Sequence, residues 1–404
     1  MRAWRILLFL GLLVLPGSAA EQNAQPNPSD WPAVERVAKG QTVYWNAWAG
    51  EASINSYIGW AAEEVEKRFG VRVEQVKLSD TAEAVSKVVA EKAAGRDSGG
   101  SVDLIWINGP NFASMKDKKL LYGPWAEQLP NYRLVDTSNP AVTSDFTIAT
   151  EGYETPWDEA RLVFYYDGMQ LKNPPRSTAA ILDFARSHPG RFTYPDVQNF
   201  LGATFLKQVL IELTADRSVL QKAPTDTEFE RLTAPMWSYL DMLNQVLWRR
   251  GKAFPANSAE LRQLFADREI DVGFSLNPSE ASLAIARKEL PGTVRAYVLD
   301  GGTIGNASFL AIPFNAAHKE GAMVLANFLL SPEAQARKQD PRIWGGATVL
   351  AVERLKDMDR RWFEERKSGA GSLSFAELGK TLPEPHPGWM TRITARWLER
   401  YVSQ

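Results

Sequence analysis

Amide and aromatic side chains cluster where the apolar segment 102–107 ends. Its nearly continuous apolar residues are typical of a parallel strand that is buried on both faces. Trp106 lies inside this segment, and Asn108, Asn111 and Phe112 follow it closely. Ligands of open α/β sheets bind just beyond the carboxyl ends of strands, so these side chains are candidates for ligand binding. Amides both donate and accept hydrogen bonds, and indole faces cover flat or apolar surface and attract cations.

Little in the sequence predicts catalysis. The chain has no Cys, which excludes disulfides, thiol catalysis and cysteine metal ligands. His188, His318 and His386 lie far apart, and none has metal-ligand spacing to a partner. There is no GxSxG or HExxH motif. We therefore expect no enzyme, no metal and no cofactor, although Glu159 and Asp196 leave open a hydrolase or lyase that uses them as an acid/base pair.

The length and the order of predicted elements indicate two α/β domains. A chain of 404 residues is too long for one ordinary domain, and its net charge of -2 gives no sign of nucleic-acid binding. Predicted strands at 42–45 and 71–76, with the apolar strand described above, alternate with helices such as 53–69. This alternation is typical of a doubly wound parallel sheet. Residues 46–50 are predicted to form a loop, and irregular chain occupies 123–149.

The N-terminus has the pattern of a secretory signal peptide. Arg2 and Arg5 precede a short apolar core, and small residues offer a cleavage site near Ala20. We expect residues 1–20 to be removed and residues 21–40 to form an N-terminal lead-in. No later stretch is long and apolar enough to span a membrane, so the sequence predicts an unanchored periplasmic protein.

Several segments, in this order, resemble the extracellular solute-binding proteins of ABC importers, which have the type 2 periplasmic-binding fold. The nearest group is the branch that includes polyamine, thiamine and ferric-ion binders. The resemblance covers nearly the whole mature chain. It is carried by four segments. They are an aromatic first strand (43–48), the strand–loop–helix of the apolar segment (102–119), a proline-aromatic hinge strand (155–157 with 162–167), and the returning hinge strand with its helix (308–313, then 319–322 and 327–333).

The resemblance implies two doubly wound lobes joined by a two-crossover hinge. Lobe 1 would cover 41–152 and lobe 2 would cover 153–304. The return crossover would occupy 305–345, and a C-terminal helical segment, 346–404, would pack on the lobes. A protein of this kind captures a small polar solute in the interlobe cleft by hinge closure. It then delivers the solute, as a monomer, to an inner-membrane permease with its ATPase.

Side chains from the strand-end loops of both lobes and from the hinge would face this cleft. Trp45 is also open to the alternative of packing beneath its sheet, because cores favour aromatic residues as pockets do. The expected ligand-binding residues are Trp45, Asn46, Trp48, Trp106, Asn108, Asn111 and Phe112 in the first lobe, Trp157 and Glu159 in the hinge, Tyr194, Asp196, Asn199, Ser275 and Asn277 in the second lobe, and Asn306 and Trp344 after the return.

The charge of the ligand stays open at this point. Polyamine binders place acids at the positions that align with Asn199 and Ser308, whereas here only Asp196 keeps a carboxylate. Burying unpaired ammonium groups is costly, so a polycation fits poorly and a monocation, a zwitterion or a neutral polar molecule fits better. An anion is also open, because loops that enter helices near Gly50-Ser53, Asn111 and Gly202 could present backbone N–H groups to it.

Two further expectations concern the role of the protein and the role of Asp103. The closed form of such a protein could be recognised by a receptor, so a ligand-sensing module is an alternative to import. Asp103, inside the apolar strand, is predicted to anchor a loop by accepting hydrogen bonds rather than to bind ligand.

Overall fold

The computed structural model describes residues 27–364, 371–373 and 377–402. The predicted signal peptide lies outside these ranges. Within them no helix is both long and apolar enough to cross a membrane. Part of the predicted lead-in is ordered as helix α1, Trp31–Ala38, which Asp30 caps by accepting a hydrogen bond from the Ala33 N–H. Helix α1 buries Val34 and Ala38 in the core of the first lobe, so the lobe begins earlier than residue 41.

The first lobe alternates strands and helices as the sequence predicts. The remaining elements of its N-terminal half are β1 Thr42–Trp48, α2 Ala52–Phe69, β2 Arg72–Leu78, α3 Ala82–Ala93, β3 Leu104–Ile107 and α4 Pro110–Asp117. Strand β1 pairs in parallel with both β2 and β3. The predicted loop at 46–50 is wrong for its first three residues, because β1 continues to pair with β2 as far as Trp48 opposite Leu78.

Asp103 anchors a loop, as the sequence predicts. Its two carboxylate oxygens accept hydrogen bonds from the backbone N–H groups of Tyr44, at 3.0 Å, and His318, at 2.8 Å. These contacts join β1 to the segment before a later helix, which explains why a carboxylate is tolerated with no exposed surface.

Two strands carry the chain between the lobes. After the short hairpin β4 Ser144–Asp145 and β5 Ile148–Ala149, strand β6 Glu154–Arg161 pairs within the first sheet, and β7 Val163–Asp167 belongs to the second. The sheet pairing therefore moves the first crossover from the predicted boundary at 152–153 to Leu162. That residue is buried in the core of the second lobe, where its N–H donates to the Ile304 carbonyl at 2.8 Å.

The second lobe surrounds a small sheet in the order β8–β7–β9. Its pairs are antiparallel, because β7 is the strand that enters from the other lobe. Helices cover both faces and bury a second apolar core. The elements are α5 Thr178–Ser187, α6 Phe200–Leu213, α7 Asp226–Asn244, α8 Ser258–Ala266, β8 Val272–Ser275, α9 Glu280–Ala286 and β9 Val294–Tyr297.

Strand β10, Thr303–Ala311, returns the chain to the first lobe and is buried along its whole length. It pairs antiparallel with β3 and β6. Ile304 lies in the second core and Leu310 in the first, so this strand belongs to both lobes. The chain then forms α10 Lys319–Leu329, α11 Pro332–Gln339, α12 Asp357–Glu364, β11 Thr381–Leu382 and α13 Pro387–Tyr401.

The C-terminal segment braces the hinge. Strand β11 pairs in parallel with the first residues of β10. Arg161, at the end of β6, donates to the Leu378 carbonyl at 2.8 Å and to the Thr303 hydroxyl at 3.0 Å. Helix α13 buries Trp389 and Trp397 in the second core. Both crossover strands are thereby tied to the same C-terminal stretch.

We expect Leu310→Ala to lower the free energy of unfolding by about 2–5 kcal/mol, the usual cost of truncating a fully buried leucine. Leu213→Ala is the matched control, because that leucine is 38% exposed at the end of α6. It should cost less than about 1 kcal/mol. Urea denaturation of both variants measures the difference, and equal losses would contradict the assignment of β10 as the shared core strand.

Candidate functional site

A cavity of about 170 Å³ lies between the lobes, beside the two crossover strands. Its walls come from strand ends and helix starts of both lobes and from β6 and β10. Among the predicted residues, the cavity is lined by Trp48, Trp106, Asn108, Asn111, Asn199, Ser275, Asn277, Asn306 and Trp344. The other lining residues are Glu51, Ile54, Ser79, Asp80, Thr81, Asp158, Ala160, Phe200, Leu201, Ser258, Leu276 and Ser308.

The loop between β3 and α4 places Asn108 and Asn111 in the cavity wall. Gly109 has a φ of 57°, and its N–H donates to the buried Asp145 carboxylate at 2.7 Å. A Cβ at this position would lie 2.9 Å from Cε2 of Phe146. The turn therefore requires glycine for both its backbone angle and its close contact. Neither asparagine side chain has a hydrogen-bond partner among the described residues, so both amides are available to a ligand.

A continuous set of indole rings backs the first-lobe wall. The centroid of Trp106 lies 6.3 Å from that of Trp48 and 4.7 Å from that of Trp157. Trp157 in turn contacts Trp45 and Trp344, each at 5.2 Å. Trp48 and Trp106 are partly exposed, whereas Trp45 and Trp157 have no accessible surface. The buried pair therefore supports the rings that line the cavity.

Several predicted residues lie in the cores instead of the cavity. Trp45, Trp157 and Phe112 belong to the first core. Tyr194 belongs to the second, where its hydroxyl donates to Asn244 at 2.8 Å. Asn46 is 1% exposed and donates to the Tyr44 carbonyl. These side chains point away because residues on alternate sides of a strand or helix face different layers of the lobe.

The two carboxylates of the enzyme alternative are not brought together in the cavity. Glu159 accepts a hydrogen bond from Asn139 at 2.7 Å, and burial raises the pKa of its carboxyl to about 7. Asp196 accepts from the Gln198 N–H at 2.8 Å. Neither residue lines the cavity, so this pair has no shared space in which to hold a substrate. Among the described residues, no group of His, Asp or Glu could hold a metal ion.

Asp158 contributes a buried carboxylate to the hinge side of the cavity. It accepts a hydrogen bond from Lys338 at 2.8 Å, and the lysine side chain is completely buried. Lys338 also donates to the Trp157 carbonyl at 2.7 Å. Burial raises the pKa of Asp158 and lowers the pKa of Lys338, while their mutual attraction opposes both shifts. The pair thus places a neutralised carboxylate at the wall.

On one side of the cavity, Arg262 of α8 links the lobes. Its guanidinium lies 3.6 Å from the Glu51 carboxylate in the first lobe and 3.1 Å from Glu280 in the second. Burial, followed by repulsion from Glu51, raises the pKa of Glu280 to about 8. One arginine therefore holds two buried carboxylates that would otherwise repel each other.

The lobes also meet near the hairpin β4–β5. The rings of Phe146 in the first lobe and Phe200 in the second lie 6.2 Å apart. Lys207 of α6 stands over both rings, at 4.5 and 4.9 Å from their centroids, and pairs with Glu384 at 2.6 Å. Contacts at Arg262 and at Lys207 bring the lobes together around the cavity, which is the arrangement of a closed cleft.

The lining residues that sequence reasoning missed follow simple signals. Ser79, Asp80 and Thr81 come directly after β2, so the rule used for β3 would have found them. Asp158 and Ala160 line the cavity while Trp157 and Glu159 do not, as expected from the two-residue alternation of a strand. The sequence therefore predicted the correct hinge strand but chose the residues on the face that points away from the cavity.

Two α/β lobes, two adjacent crossover strands and a cavity between the lobes define a solute-binding protein of the type 2 periplasmic-binding fold. Residues 60–350 match the family model described as "Bacterial extracellular solute-binding protein". The chain belongs to this family. It is an exported ABC-transporter substrate-binding protein and not an enzyme; proteins of this kind bind a small ligand and work with a membrane permease.

The chain is similar to one curated relative and, in fold, to several solved structures. The chain is 42% identical to Protein YnjB of Escherichia coli (strain K12) over 392 residues, which is 97% of each chain. The fold is similar to that of the periplasmic binding protein AfuA from Actinobacillus pleuropneumoniae with fructose-6-phosphate bound, with a TM-score of 0.63 and 13% identity over 90% of this chain and 99% of that one. A putative spermidine/putrescine ABC transporter from Listeria monocytogenes gives a TM-score of 0.62 at 18% identity, with the same coverage.

We expect truncation of two neighbouring tryptophans to have opposite consequences. Trp157→Ala should lower the free energy of unfolding by about 3–5 kcal/mol, because the ring is fully buried. Trp48→Ala should lower it by about 1 kcal/mol or less while weakening ligand binding, because that ring is partly exposed in the cavity. Urea denaturation and ligand titration measure the two effects. A large stability loss in Trp48→Ala would assign this ring to the core.

We expect Lys338→Met to destabilise the protein by about 3–5 kcal/mol near neutral pH, because Asp158 is left buried without a partner. Burial already raises the folded-state pKa of Asp158 above its ordinary 3.8, and loss of the lysine raises it further. A carboxyl whose folded pKa is raised loses stability as pH rises above its unfolded pKa. The deficit relative to wild type should therefore shrink from about pH 8 to about pH 5 in urea titrations. A deficit that grows on acidification would contradict the buried pair.

Proposed function

We propose that the chain captures a small polar organic solute in the cavity by hinge closure and delivers it to an inner-membrane permease with its ATPase. The export signal would be cleaved near Ala20, and the mature protein would act as a monomer in the periplasm. The observation that carries the proposal is the cavity itself, lined by both lobes and both crossover strands. Residues 1–20 lie outside the described chain, and the cleavage position rests on their sequence alone.

The character of the lining supports an organic solute. Trp48, Trp106 and Trp344 provide aromatic surface, and Asn108 and Asn111 provide amides without other partners. Few polar groups placed among aromatic walls are typical of small-molecule sites, where the polar groups fix orientation. Among the described residues, no group of His, Asp or Glu could hold the bare ferric ion that some binders of this branch carry.

Contacts between the lobes support the proposal of hinge closure. The pairs Arg262–Glu51 and Phe146–Phe200 each join one residue of either lobe across the cleft. A ligand that touches both lobes binds the closed state better than the open one, and its differential affinity sets the population shift. Ligand and interlobe contacts therefore stabilise the same state.

Native mass spectrometry of protein purified without refolding tests the proposal. We expect one equivalent of a small molecule, which denaturation releases and which rebinds to the refolded protein chemically unchanged. Trp106→Ala should reduce its occupancy, because that ring lines the cavity. Conversion of the released compound on incubation would favour the hydrolase or lyase alternative. Failure of any small molecule to bind would contradict the proposal.

We expect Arg262→Gln to weaken binding of the released compound by about tenfold, because the closed state then leaves Glu51 and Glu280 facing each other without a cation. The matched control is Arg231→Gln on α7, an exposed arginine outside the cleft. Small-angle scattering with saturating compound should show a larger radius of gyration for Arg262→Gln than for the control. Identical radii and affinities would show that this arginine has no role in closure.

A further inference from the structure

The charged side chains that line the cavity are all carboxylates. They are Glu51, Asp80 and Asp158, and no Lys, Arg or His of the described chain lines the cavity. Asp158 is neutralised by Lys338 at 2.8 Å, and Glu51 shares Arg262 with Glu280. Asp80 differs, because it has no cation within ion-pair distance in the described ranges. One carboxylate is therefore left to meet a charge on the ligand.

Asn306 lines the same cavity and has a buried acceptor without a partner. Its Nδ2 donates to Glu384 at 2.8 Å, and Glu384 is held by the buried Lys207 at 2.6 Å. This contact fixes which end of the amide is occupied and leaves Oδ1 without any partner. The side chain is 6% exposed, so the oxygen has lost water and needs a donor. A ligand that donates an N–H or O–H group would satisfy it.

At the starts of α3 and α6, side chains already accept from backbone N–H groups that could bind an anion. At α3, the Asp80 carboxylate accepts from the Ala82 N–H at 2.8 Å, and Glu83 accepts from the N–H groups of Ser79 and Asp80. At α6, Asn199 accepts from the Leu201 N–H at 3.0 Å. These particular N–H groups are thus occupied, and at α3 two carboxylates oppose the positive end of the helix dipole.

We propose that the ligand carries one positive charge and at least one N–H or O–H donor on a flat or apolar body. Asp80 balances the charge, Oδ1 of Asn306 accepts the donor, and Trp48 and Trp106 cover the body with rings set at 90° to each other. Indole faces attract cations as well as apolar surface, so the walls and the carboxylate favour the same charge. Two positive charges would leave one without a partner. This inference rests on the proposed function, since it assigns the ligand class of that cavity.

Compounds that share one benzyl body test the charge and the donor separately. We expect benzylamine to quench tryptophan fluorescence saturably and to bind about tenfold tighter than benzyl alcohol or benzoate. The dication m-xylylenediamine should bind no tighter than benzylamine. Benzyltrimethylammonium has the charge without a donor. It should bind more weakly than benzylamine, by the contribution of the hydrogen bond to Asn306.

Two substitutions test the roles of Asp80 and Asn306 separately. Asp80→Asn should reduce the affinity of both cations by about five- to tenfold. Asn306→Leu should reduce that of benzylamine and leave benzyltrimethylammonium unchanged. Asp117→Asn, at the exposed end of α4, is the matched control and should change neither. Melting curves of each variant verify that it is folded.

The inference is overturned if benzoate binds as tightly as benzylamine, if Asp80→Asn binds both cations like wild type, or if benzylamine shows no saturable binding below about 10 mM. A protein that retains a different, anionic or neutral small molecule in native mass spectrometry would keep the proposed function and refute only this ligand class.

Discussion

The antiparallel ladder between β6 and β10 is the contact on which both the fold and the site depend. Its pairs run from Gly305 opposite Arg161 to Ala311 opposite Glu154. Both crossovers pass through this one ladder, so it joins the two lobes and is where a hinge would lie. The same strands present Asp158 and Asn306 to the cavity, so the axis of closure is also part of the binding surface. A ligand held there contacts the hinge and both lobes at once.

Several buried carboxylates near this ladder are each paired with a lysine or an arginine. Lys338 neutralises Asp158, Arg262 serves Glu51 and Glu280, and Lys207 serves Glu384. Burying each carboxylate alone would be costly, so every pair stabilises one relative position of the elements that it joins. Two of these clusters lie where the lobes meet. Arg262 reaches Glu51 of the other lobe, a contact that separated lobes would lack.

Local sequence patterns predicted those parts of the fold that depend on neighbouring residues, such as single strands, turns and helix starts. The apolar segment before Asn108 and the helix after it follow from strand composition and turn residues, and Asn108 and Asn111 are where that reasoning places them. The crossover at Leu162 was harder to place. Both segments beside it form strands, and only the partner of each strand decides which sheet it joins. The sequence of one segment does not show which distant segment it pairs with.

In the candidate site, too, local sequence predicts some features and the tertiary arrangement decides others. Trp48 and Trp45 are three residues apart with the same side chain, yet one lines the cavity and the other is buried beneath the sheet. Composition cannot separate them, because aromatic residues suit both places. The contacts of Glu51 with Arg262 and of Lys207 with Glu384 each join residues more than a hundred positions apart in the sequence. Such contacts arise only from the tertiary arrangement.

The distance between the lobes tests closure most directly, and the absence of Cys makes it accessible. Spin labels at Lys87→Cys on α3 and Ala286→Cys on α9, both exposed, report the separation by pulsed electron resonance. We expect a short distance in protein purified without refolding and a longer one after the bound compound is removed by denaturation and refolding. The short distance should return when the released filtrate is added back. One unchanged distance distribution in all three samples would contradict a cleft that closes on its ligand.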